Sequence, residues 1–406
     1  MHVKTVAIIG TFDTKGEEFA YVEKRFKELG VDTLTIHCGV FDPVTMPDIP
    51  NTEVAEAIDI DMSVVVEKKD RAFATETMTR GIEKLLPNLY ANHRFDGVFS
   101  MGGSGGTTIA TAGMRKLPIG VPKMVVSTMA SGDTSPYVGA SDIVLFPSIV
   151  DVAGVNSFSS TIFNNAIAAM VGMLEHPAPK AEDGKQLVAA TMFGVTTPCV
   201  TKAQEYLENE GYEVLVFHAT GTGGQCMESL VNGGFISGVL DLTTTEWCDE
   251  IVGGVLAAGP ERCEAAALCG VPTVISTGAC DMVNFGPYDS VPSQFAQRNL
   301  YKHNPTVTLM RTSVEENRAV GEMLASKINM STGPCVCMLP LRGVSMIDGE
   351  GQPFEGAAED EALFNALREN IKPSAADVIE MENNINDEEF AVAAAAKLVE
   401  LMRGQD

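Results

Sequence analysis

Short apolar runs alternate with amphipathic stretches along most of the chain. The apolar run at residues 6–10 is followed by a segment in which four apolar side chains recur at helical spacing: Phe19, Val22, Phe26 and Leu29. Gly30 stands where a helix C-cap is expected, and residues 31–39 (VDTLTIHCG) form the next strand-like run. The order strand, helix, strand predicts a right-handed crossover and a parallel sheet.

The same pattern returns in the second half of the chain, starting at Leu187. Its second predicted strand ends in His218, as the second strand of the first half ends in His37. The segment FDGVFS (95–100) matches ISGVLD (236–241), and GVPKMVVSTMASGD matches GVPTVISTGACD. We therefore predict an α/β fold of two Rossmann-like parallel-sheet subdomains related by internal duplication.

The boundary between the copies is predicted in the Pro- and charge-rich stretch HPAPKAEDGK, residues 176–185. Residues 1–180 are expected to form an N-terminal Rossmann-like nucleotide-binding subdomain, with residues 42–92 inserted in it. Residues 185–406 are expected to form a C-terminal Rossmann-like subdomain with a helical C-terminal extension.

Composition narrows the classes of function. A hydrophobic content of 45% with 20% charged residues is typical of a globular protein, and the net charge of −26 argues against nucleic-acid binding. The apolar run at the N-terminus is too short for a signal peptide, and no uncharged run is long enough to span a bilayer. We therefore expect a cytoplasmic protein with no membrane partner. Its nine scattered cysteines are expected to be reduced thiols, and no metal site is predicted.

The most unusual stretch is SMGGSGGT, residues 100–107, which follows a predicted strand and opens a predicted helix. Glycines let backbone N–H groups approach an anion, and a helix N-terminus adds a partial positive charge. A phosphate is the expected occupant, and a tight strand-to-helix turn packed against its neighbour is the structural alternative. The loop matches neither the Walker A motif nor the dinucleotide fingerprint G-x-G-x-x-G. The candidate binding residues here are Gly102, Gly103, Ser104, Gly105, Gly106 and Thr107.

Two companion loops leave neighbouring predicted strands. In GTFDTKG, Lys15 could bind a phosphate, whereas Asp13 could meet a ribose hydroxyl, meet Mg²⁺ through water, or simply cap the helix. After the strand that follows the glycine loop comes a polar turn that should reach the same sheet edge. The candidates in these two loops are Gly10, Thr11, Asp13, Thr14 and Lys15, then Ser127, Ser131, Gly132 and Asp133.

The second copy repeats the arrangement of strand, glycines and helix in ATGTGGQ. If the two sheet edges face each other, its polar groups would line one interdomain cleft, with Arg342 as counter-ion to an acidic or phosphorylated metabolite. Many of these side chains could instead cap helices and turns. His37 and His218 could serve as bases or be structural histidines. The candidates in this copy are Gly221, Thr222, Gly223, Gly224, Asp241, Asp281, Asn284 and Arg342.

A set of motifs distributed over the whole chain resembles one family. The motifs are GTFDTKGEE, MGGSGGT, GVPKMVVSTMASGDTSPYVG, TGTGGQCME, GVLDLTTTE, GGVLAAGPER, DMVNFG and LRGVSMIDGEGQPF. Together they resemble the family of poorly characterised proteins related to the tomato mosaic virus resistance protein. The resemblance implies an ATP-binding region of two Rossmann-like subdomains and dimerisation, without the C-terminal TIM barrel of the plant protein.

Three functions therefore stay open from the sequence. The first is a cytoplasmic protein that binds ATP or ADP, with Mg²⁺ as an optional companion, either as a binder or as an enzyme acting on a small molecule. The second is a non-catalytic nucleotide-sensing or protein-interaction module. The third is a nicotinamide-dependent oxidoreductase, against which the missing fingerprint counts. A homodimer is expected in each case.

Overall fold

The computed structural model describes residues 3–176 and 184–404. The chain divides into two compact units, Met1–Ala181 and Glu182–Asp406. Most of the predicted boundary stretch 176–185 lies outside the described residues. Each unit is described separately below.

The first unit contains a parallel five-stranded sheet in the order β2-β1-β3-β4-β5. Its three central strands, β1, β3 and β4, are short apolar runs buried on both faces, as parallel strands covered by helices should be. The strands are β1 (Thr5–Gly10), β2 (Asp32–His37), β3 (Gly97–Gly102), β4 (Lys123–Ser127) and β5 (Val144–Pro147).

Alternation along β1 shows how the layers form. Ala7 and Ile9 pack with the helices on one face of the sheet, and Val6 and Ile8 pack with the helices on the other. The predicted insertion supplies most of one layer, because its helices bury their apolar side chains in the same core as Ala7. The helices are α1 (Gly16–Glu28), α2 (Asn51–Glu56), α3 (Met62–Lys68), α4 (Arg71–Ala91), α5 (Ser104–Arg115), α6 (Ser135–Val138) and α7 (Ser157–Glu175).

The end of α1 differs in detail from the apolar pattern. Phe19, Val22 and Phe26 are buried as predicted, but Leu29 is the C-cap residue and is 40% exposed. Gly30 follows with a φ of +81°, a left-handed conformation that glycine adopts readily, so the chain turns into β2 there.

The second unit contains a parallel six-stranded sheet in the order β7-β6-β8-β9-β13-β14. Its first five positions repeat the order of the first unit, which confirms the prediction of two duplicated Rossmann-like sheets. A three-stranded antiparallel sheet, β10-β12-β11, and the outer strand β14 are additions. The strands are β6 (Leu187–Met192), β7 (Glu213–His218), β8 (Gly238–Thr243), β9 (Thr273–Gly278), β10 (Met282–Phe285), β11 (Leu300–Asn304), β12 (Val307–Arg311), β13 (Cys335–Pro340) and β14 (Asp377–Met381).

Helices again cover both faces of this sheet. The predicted C-terminal extension is helical, and α14 packs against α8 through the core that contains Phe390 and Leu398. On the other face, α12 packs against α13 around Val320 and Leu363. The helices are α8 (Thr197–Asn209), α9 (Thr222–Asn232), α10 (Glu246–Val252), α11 (Ala265–Cys269), α12 (Val314–Ile328), α13 (Ala357–Asn370) and α14 (Glu388–Arg403).

Candidate functional site

A cavity of about 920 Å³ lies in the first unit, where the loops after β1 and β3 meet residues of the insertion. Ligands of open α/β sheets bind at this carboxyl edge of the strands. The structure therefore brings two of the three predicted loops of the first unit to one cavity. The predicted residues that line it are Thr11, Asp13, Thr14, Lys15, Gly103, Ser104, Gly105 and Gly106.

Helix α5 begins at this cavity without a cap. Its N-cap residue is Gly103, so no side chain is available to accept from the first turn. Within the part of the chain that the structure describes, the backbone N–H groups of Ser104, Gly105 and Gly106 have no acceptor. Unsatisfied N–H groups at the positive end of a helix dipole are a site for an anion.

The glycines of this turn are not required by packing. A Cβ at Gly105 would have no atom within 4 Å, one at Gly103 would be 3.7 Å from Thr128 Oγ1, and one at Gly106 would be 3.6 Å from the Met101 carbonyl oxygen. None of the three glycines has a positive φ. Neither space nor backbone conformation explains why these positions lack side chains.

Other glycines of the same unit behave in the opposite way. A Cβ at Gly10 would clash with the Phe19 ring, and one at Gly113 would clash with the Ile82 side chain. Gly10, which the sequence predicts to bind ligand, is therefore needed for packing, and it does not line the cavity. A tight packed turn accounts for Gly10 but not for the glycines at the start of α5.

Asp13 joins two segments of the cavity wall. Its Oδ2 accepts the backbone N–H groups of Val40 and Phe41 at 3.1 Å each. Its Oδ1 is buried and has no hydrogen-bond partner. The helix-cap alternative is not what the structure shows, because the N-cap residue of α1 is Lys15.

Lys15 lines the cavity but is not free of contacts. Its ammonium group donates to the carbonyl oxygen of Val152. A carbonyl carries no net charge, so this hydrogen bond leaves the positive charge of Lys15 without a counter-ion among the residues that the structure describes.

Thr107 and the polar turn after β4 do not line the cavity. The hydroxyls of Thr107 and Ser127 are buried and hydrogen-bond each other at 2.7 Å. Asp133 is exposed and accepts from the hydroxyl and backbone N–H of Ser135, which lowers its pKa below the usual value. Ser131 and Gly132 are exposed, and Gly102 is buried at the end of β3. These predicted residues tie the sheet edge together.

In the second unit, a carboxylate of the protein itself occupies the N-terminus of α9. Glu246 Oε1 accepts the N–H groups of Gly221 at 2.8 Å and Gly224 at 3.1 Å, and its Oε2 accepts from Arg262 Nε at 2.6 Å. Both side chains of this ion pair are buried. A Cβ at Gly223 would clash with the His218 carbonyl oxygen. The glycines predicted to approach a ligand are instead in close contact with other residues of the protein. Thr222 is exposed.

Position by position, the two copies differ at this point. Ser100 and Asp241 correspond in the sequence match, and five residues further on stand Gly105 in the first copy and Glu246 in the second. Glu246 is the first residue of α10, which follows β8 as α5 follows β3, and its side chain reaches the N-terminus of α9, which follows β7. The TTTE segment at 243–246 contains this glutamate, but only its neighbour Asp241 was singled out from the sequence.

The remaining candidates of the second unit lie in closed networks. Asp241 is buried and accepts two hydrogen bonds from Arg262, at 2.6 and 2.7 Å. Asn284 is buried and donates to Asp249 at 3.2 Å through its amide, and at 2.7 Å through its backbone N–H. Arg342, by contrast, is 67% exposed and lies 3.4 Å from Glu382.

Asp281 belongs to a second buried group of charges. Its Oδ2 accepts the Ser345 hydroxyl at 2.8 Å, and its Oδ1 has no partner. Arg311 donates to Asp348 at 3.2 Å and to Asp360 at 2.7 Å. Burial raises the pKa of each of the three carboxyls to about 7.

The structure shows which groups contact the two candidate bases, His37 and His218. The Nδ1 of His37 accepts the N–H groups of Phe12 at 3.2 Å and Gly39 at 3.3 Å, and its Nε2 lies 3.0 Å from the Phe41 carbonyl oxygen. These partners assign the neutral tautomer with the proton on Nε2. His218 is exposed and stacks on Phe193 with ring centroids 5.6 Å apart.

Among the lining residues of the cavity that sequence reasoning missed are Phe41, Lys69 and Arg71. All three lie in or next to the insertion, where no repeat in the second copy drew attention to them. Among the described residues, no group of three or more His, Cys, Asp or Glu side chains is arranged to hold a metal ion. No helix of the described ranges is both long and apolar enough to cross a membrane.

The protein therefore belongs to the class of duplicated α/β proteins. In the described part of its first unit, the glycine-lined N-terminus of α5 is open. Residues 4–179 match the N-terminal domain, and residues 185–402 the C-terminal domain, of the uncharacterised protein family UPF0261. The chain belongs to the UPF0261 family.

Relatives in bacteria and plants support this assignment. A UPF0261 protein of Clostridium tetani is 51% identical over 400 residues, covering 98% of this chain and 99% of its own. The ToMV resistance protein Tm-1(GCR237) of Solanum lycopersicum is 39% identical over 419 residues, covering 98% of this chain and 55% of its own. Among solved structures, the UDP-GlcNAc 2-epimerase of Methanocaldococcus jannaschii shares 12% identity at a TM-score of 0.25, with 98% of this chain and 92% of that one covered.

Proposed function

We propose that the protein binds ATP or ADP in the cavity of the first unit, with a phosphate group at the N-terminus of α5. The observation that carries the proposal is the bare turn at Gly103, Gly105 and Gly106, whose N–H groups have no acceptor among the described residues. A phosphate would accept from these N–H groups and would meet no side chain on approach.

The size and charge of the cavity support a ligand larger than a phosphate ion. Ligand pockets commonly measure about 300–1,000 Å³, and this cavity of about 920 Å³ is at the upper end. Lys15, Lys69 and Arg71 line it, and none of them has a carboxylate partner within the described ranges. Asp13, Asp70 and Asp151 line the same cavity, so the three cations stand among three carboxylates; the cations would pair with a polyphosphate and the carboxylates with Mg²⁺ bound to it.

Asp13 is the candidate for either a ribose hydroxyl or Mg²⁺. Its Oδ1 is a buried acceptor without a partner, and a ribose hydroxyl or a water molecule of a hydrated Mg²⁺ could donate to it. The contact with a ribose hydroxyl and the contact with hydrated Mg²⁺ are both part of the proposed function.

The surroundings of His37 favour a binding role over catalysis. Both ring nitrogens are engaged by backbone groups, and His37 is buried and does not line the cavity, so the ring is not placed to exchange a proton with a ligand. We therefore favour the nucleotide-sensing form of the proposal over an enzyme that acts on a small metabolite. Faster consumption of ATP after addition of a metabolite would favour the enzyme instead.

The proposal also covers the cellular location of the protein and its oligomeric state. The nine cysteines are free in the structure, which supports a reducing compartment, the cytoplasm. A homodimer is proposed as the assembly.

Calorimetry and thermal shift test the proposal. ATP or ADP should bind the purified protein and raise its melting temperature, because a ligand that binds only the folded state stabilises it by about 2.7 kcal/mol at a hundredfold excess over Kd. NAD at the same concentration should have a smaller effect, since the loop lacks the dinucleotide fingerprint. A larger shift with NAD than with ATP would overturn the assignment and favour an oxidoreductase.

A further inference from the structure

Phe41 presents a large apolar ring in the wall of the cavity. It is 68% exposed, whereas Cys38 and Gly39 of the same loop are buried and Val40 is half-buried. The apolar side chains of Val65 and Val66 line the same cavity. An aromatic ring left in water at a binding cavity is the part of a wall on which a planar ligand can stack.

The backbone of Phe41 is fixed on both sides. Its N–H donates to Asp13 Oδ2 at 3.1 Å, and its carbonyl oxygen accepts from His37 Nε2 at 3.0 Å. The His37 ring is in turn oriented by the N–H groups of Phe12 and Gly39, which both donate to Nδ1. Two polar side chains thus hold in place a residue whose own side chain contributes little to the core.

These hydrogen bonds imply a function for Asp13 and His37 that phosphate binding at the N-terminus of α5 does not explain. Hydrogen bonds between these two side chains and the backbone of Phe41 supply no donor to a phosphate at the start of α5. Holding the ring rigid lowers the entropy that is lost when a planar ligand stacks on it.

We infer that Phe41 is the stacking platform for the nucleobase of the bound nucleotide, and that Asp13 and His37 are positioning residues for it. This inference rests on the proposed function, and it adds the part of the ligand that the glycine turn cannot recognise. Stacking on one ring tolerates every base, so the platform selects for a nucleoside over an inorganic polyphosphate.

The first experiment compares two truncations by calorimetry. Phe41→Ala should weaken ATP and ADP binding about 5- to 150-fold, equivalent to roughly 1–3 kcal/mol for one stacked base at 1.4 kcal/mol per tenfold. Binding of inorganic tripolyphosphate should stay within twofold of that of the unmodified protein. The matched control is Phe158→Ala, which truncates another exposed ring of the first unit that does not line the cavity.

The second experiment reads the stack directly. The protein has one tryptophan, Trp247, which is buried in the second unit and gives a constant background. Phe41→Trp should keep ATP affinity within threefold and lose part of its added fluorescence when ATP binds. Phe158→Trp should show no such change, and tripolyphosphate should quench neither variant.

The positioning role has its own readout. Asp13→Ala should weaken ATP binding, as Phe41→Ala does. The variant that carries both substitutions should lose no more ATP affinity than Phe41→Ala alone. Additive losses would mean that Asp13 acts on the ligand through Oδ1, the contact proposed above, and not by holding Phe41 through Oδ2, which overturns its positioning role.

Failures of the two proposals can be told apart. Unchanged ATP affinity in Phe41→Ala, with binding lost in Gly105→Val, overturns the platform and leaves the phosphate site standing. An equal loss for ATP and tripolyphosphate in Phe41→Ala, or a change in oligomeric state alone, also overturns the platform. If the unmodified protein binds no nucleotide of any base, both proposals fail.

Discussion

Gly105 can accept a larger side chain without a clash, so a substitution there separates ligand binding from folding. Gly105→Val should abolish detectable ATP binding by calorimetry, because the branched side chain would occupy the space that a phosphate needs. The fold should persist, since no atom lies within 4 Å of the new Cβ.

The control for this prediction is Gly172→Val. Gly172 is also helical, and a Cβ added there would also have no atom within 4 Å, but it lies in α7 and does not line the cavity. It should carry the same small gain in helix propensity, roughly a few tenths of a kcal/mol, and keep full affinity. Full ATP affinity in Gly105→Val would refute the phosphate site.

Lys15 is expected to contribute to ligand binding through its positive charge rather than through the shape of its side chain. Lys15→Met should weaken ATP binding by roughly 1.5–3 kcal/mol, the value of a charge-assisted hydrogen bond, and leave adenosine binding almost unchanged. Lys24→Met, on the exposed face of the same helix, should change neither. Equal losses for ATP and adenosine would show that the contact of Lys15 with Val152 is structural.

At the scale of residues, the sequence predicted two of the loops that form the cavity, but not the loop after β2, nor which side chains are free to act. Thr107 and Ser127 looked like donors for a ligand, and the structure pairs their hydroxyls with each other. Glu246 was not singled out because its partner, Arg262, is 16 residues away along the chain. Hydrogen-bond partners of that kind depend on tertiary packing, which periodicity and motif spacing do not encode.

At the scale of elements, the loop after β9, strand β12 and helix α13 meet at the buried charges around Arg311. Asp281, Asp348 and Asp360 have pKa values raised to about 7 by burial, from an ordinary value near 3.8. The folded protein therefore holds protons that the unfolded chain releases between about pH 4 and 7. The free energy of unfolding should fall as pH rises through this window, by up to about 1.4 kcal/mol per pH unit for each such proton.

Asp360→Asn tests this pH dependence. It removes the least buried of the three carboxyls and keeps an oxygen that can accept from Arg311. Urea unfolding followed by Trp247 fluorescence, which reports on the second unit, should show a flatter loss of stability from pH 5 to 7.5 than the unmodified protein. Asp377→Asn, an exposed aspartate of the same unit, should reproduce the original slope. An identical slope in both variants would contradict the role of the cluster.

The order of elements was predictable because it is repeated. Each copy places its apolar runs, glycines and helices in the same sequence, and the five strands of the first sheet recur in the second. The antiparallel sheet β10-β12-β11 was not anticipated. Its outer strand β11 is mostly exposed, so it lacks the continuous apolar run by which the buried strands were recognised.

At the scale of the whole molecule, we expect a homodimer. A run of apolar side chains in the first unit is exposed between β5 and α7, with Ile149 at 70% and Val150 at 44% exposure. Such residues are candidates for a contact between copies, and closed two-fold pairs are the commonest assembly. Light scattering at micromolar concentration should give twice the mass of the 43.2 kDa chain.

Ile149→Asp places a charge in this exposed apolar run. If the run forms the contact, the variant should shift towards the monomer mass, whereas Leu268→Asp, an exposed apolar side chain of the second unit, should not. A monomer in the unmodified protein would remove the expectation altogether.

The carboxylate of Glu246 sets the stoichiometry of the protein. Although the fold is present twice, the second copy already carries its own anion on the N–H groups of Gly221 and Gly224. A saturating titration should therefore end at one nucleotide per chain, as a single class of sites, and a dimer should take up two. A molar ratio of two per chain would mean that a nucleotide can displace a buried glutamate from its arginine. Gene duplication would in that case have preserved two binding sites, whereas a ratio of one would mean that it preserved the fold in both copies and the binding role in the first alone.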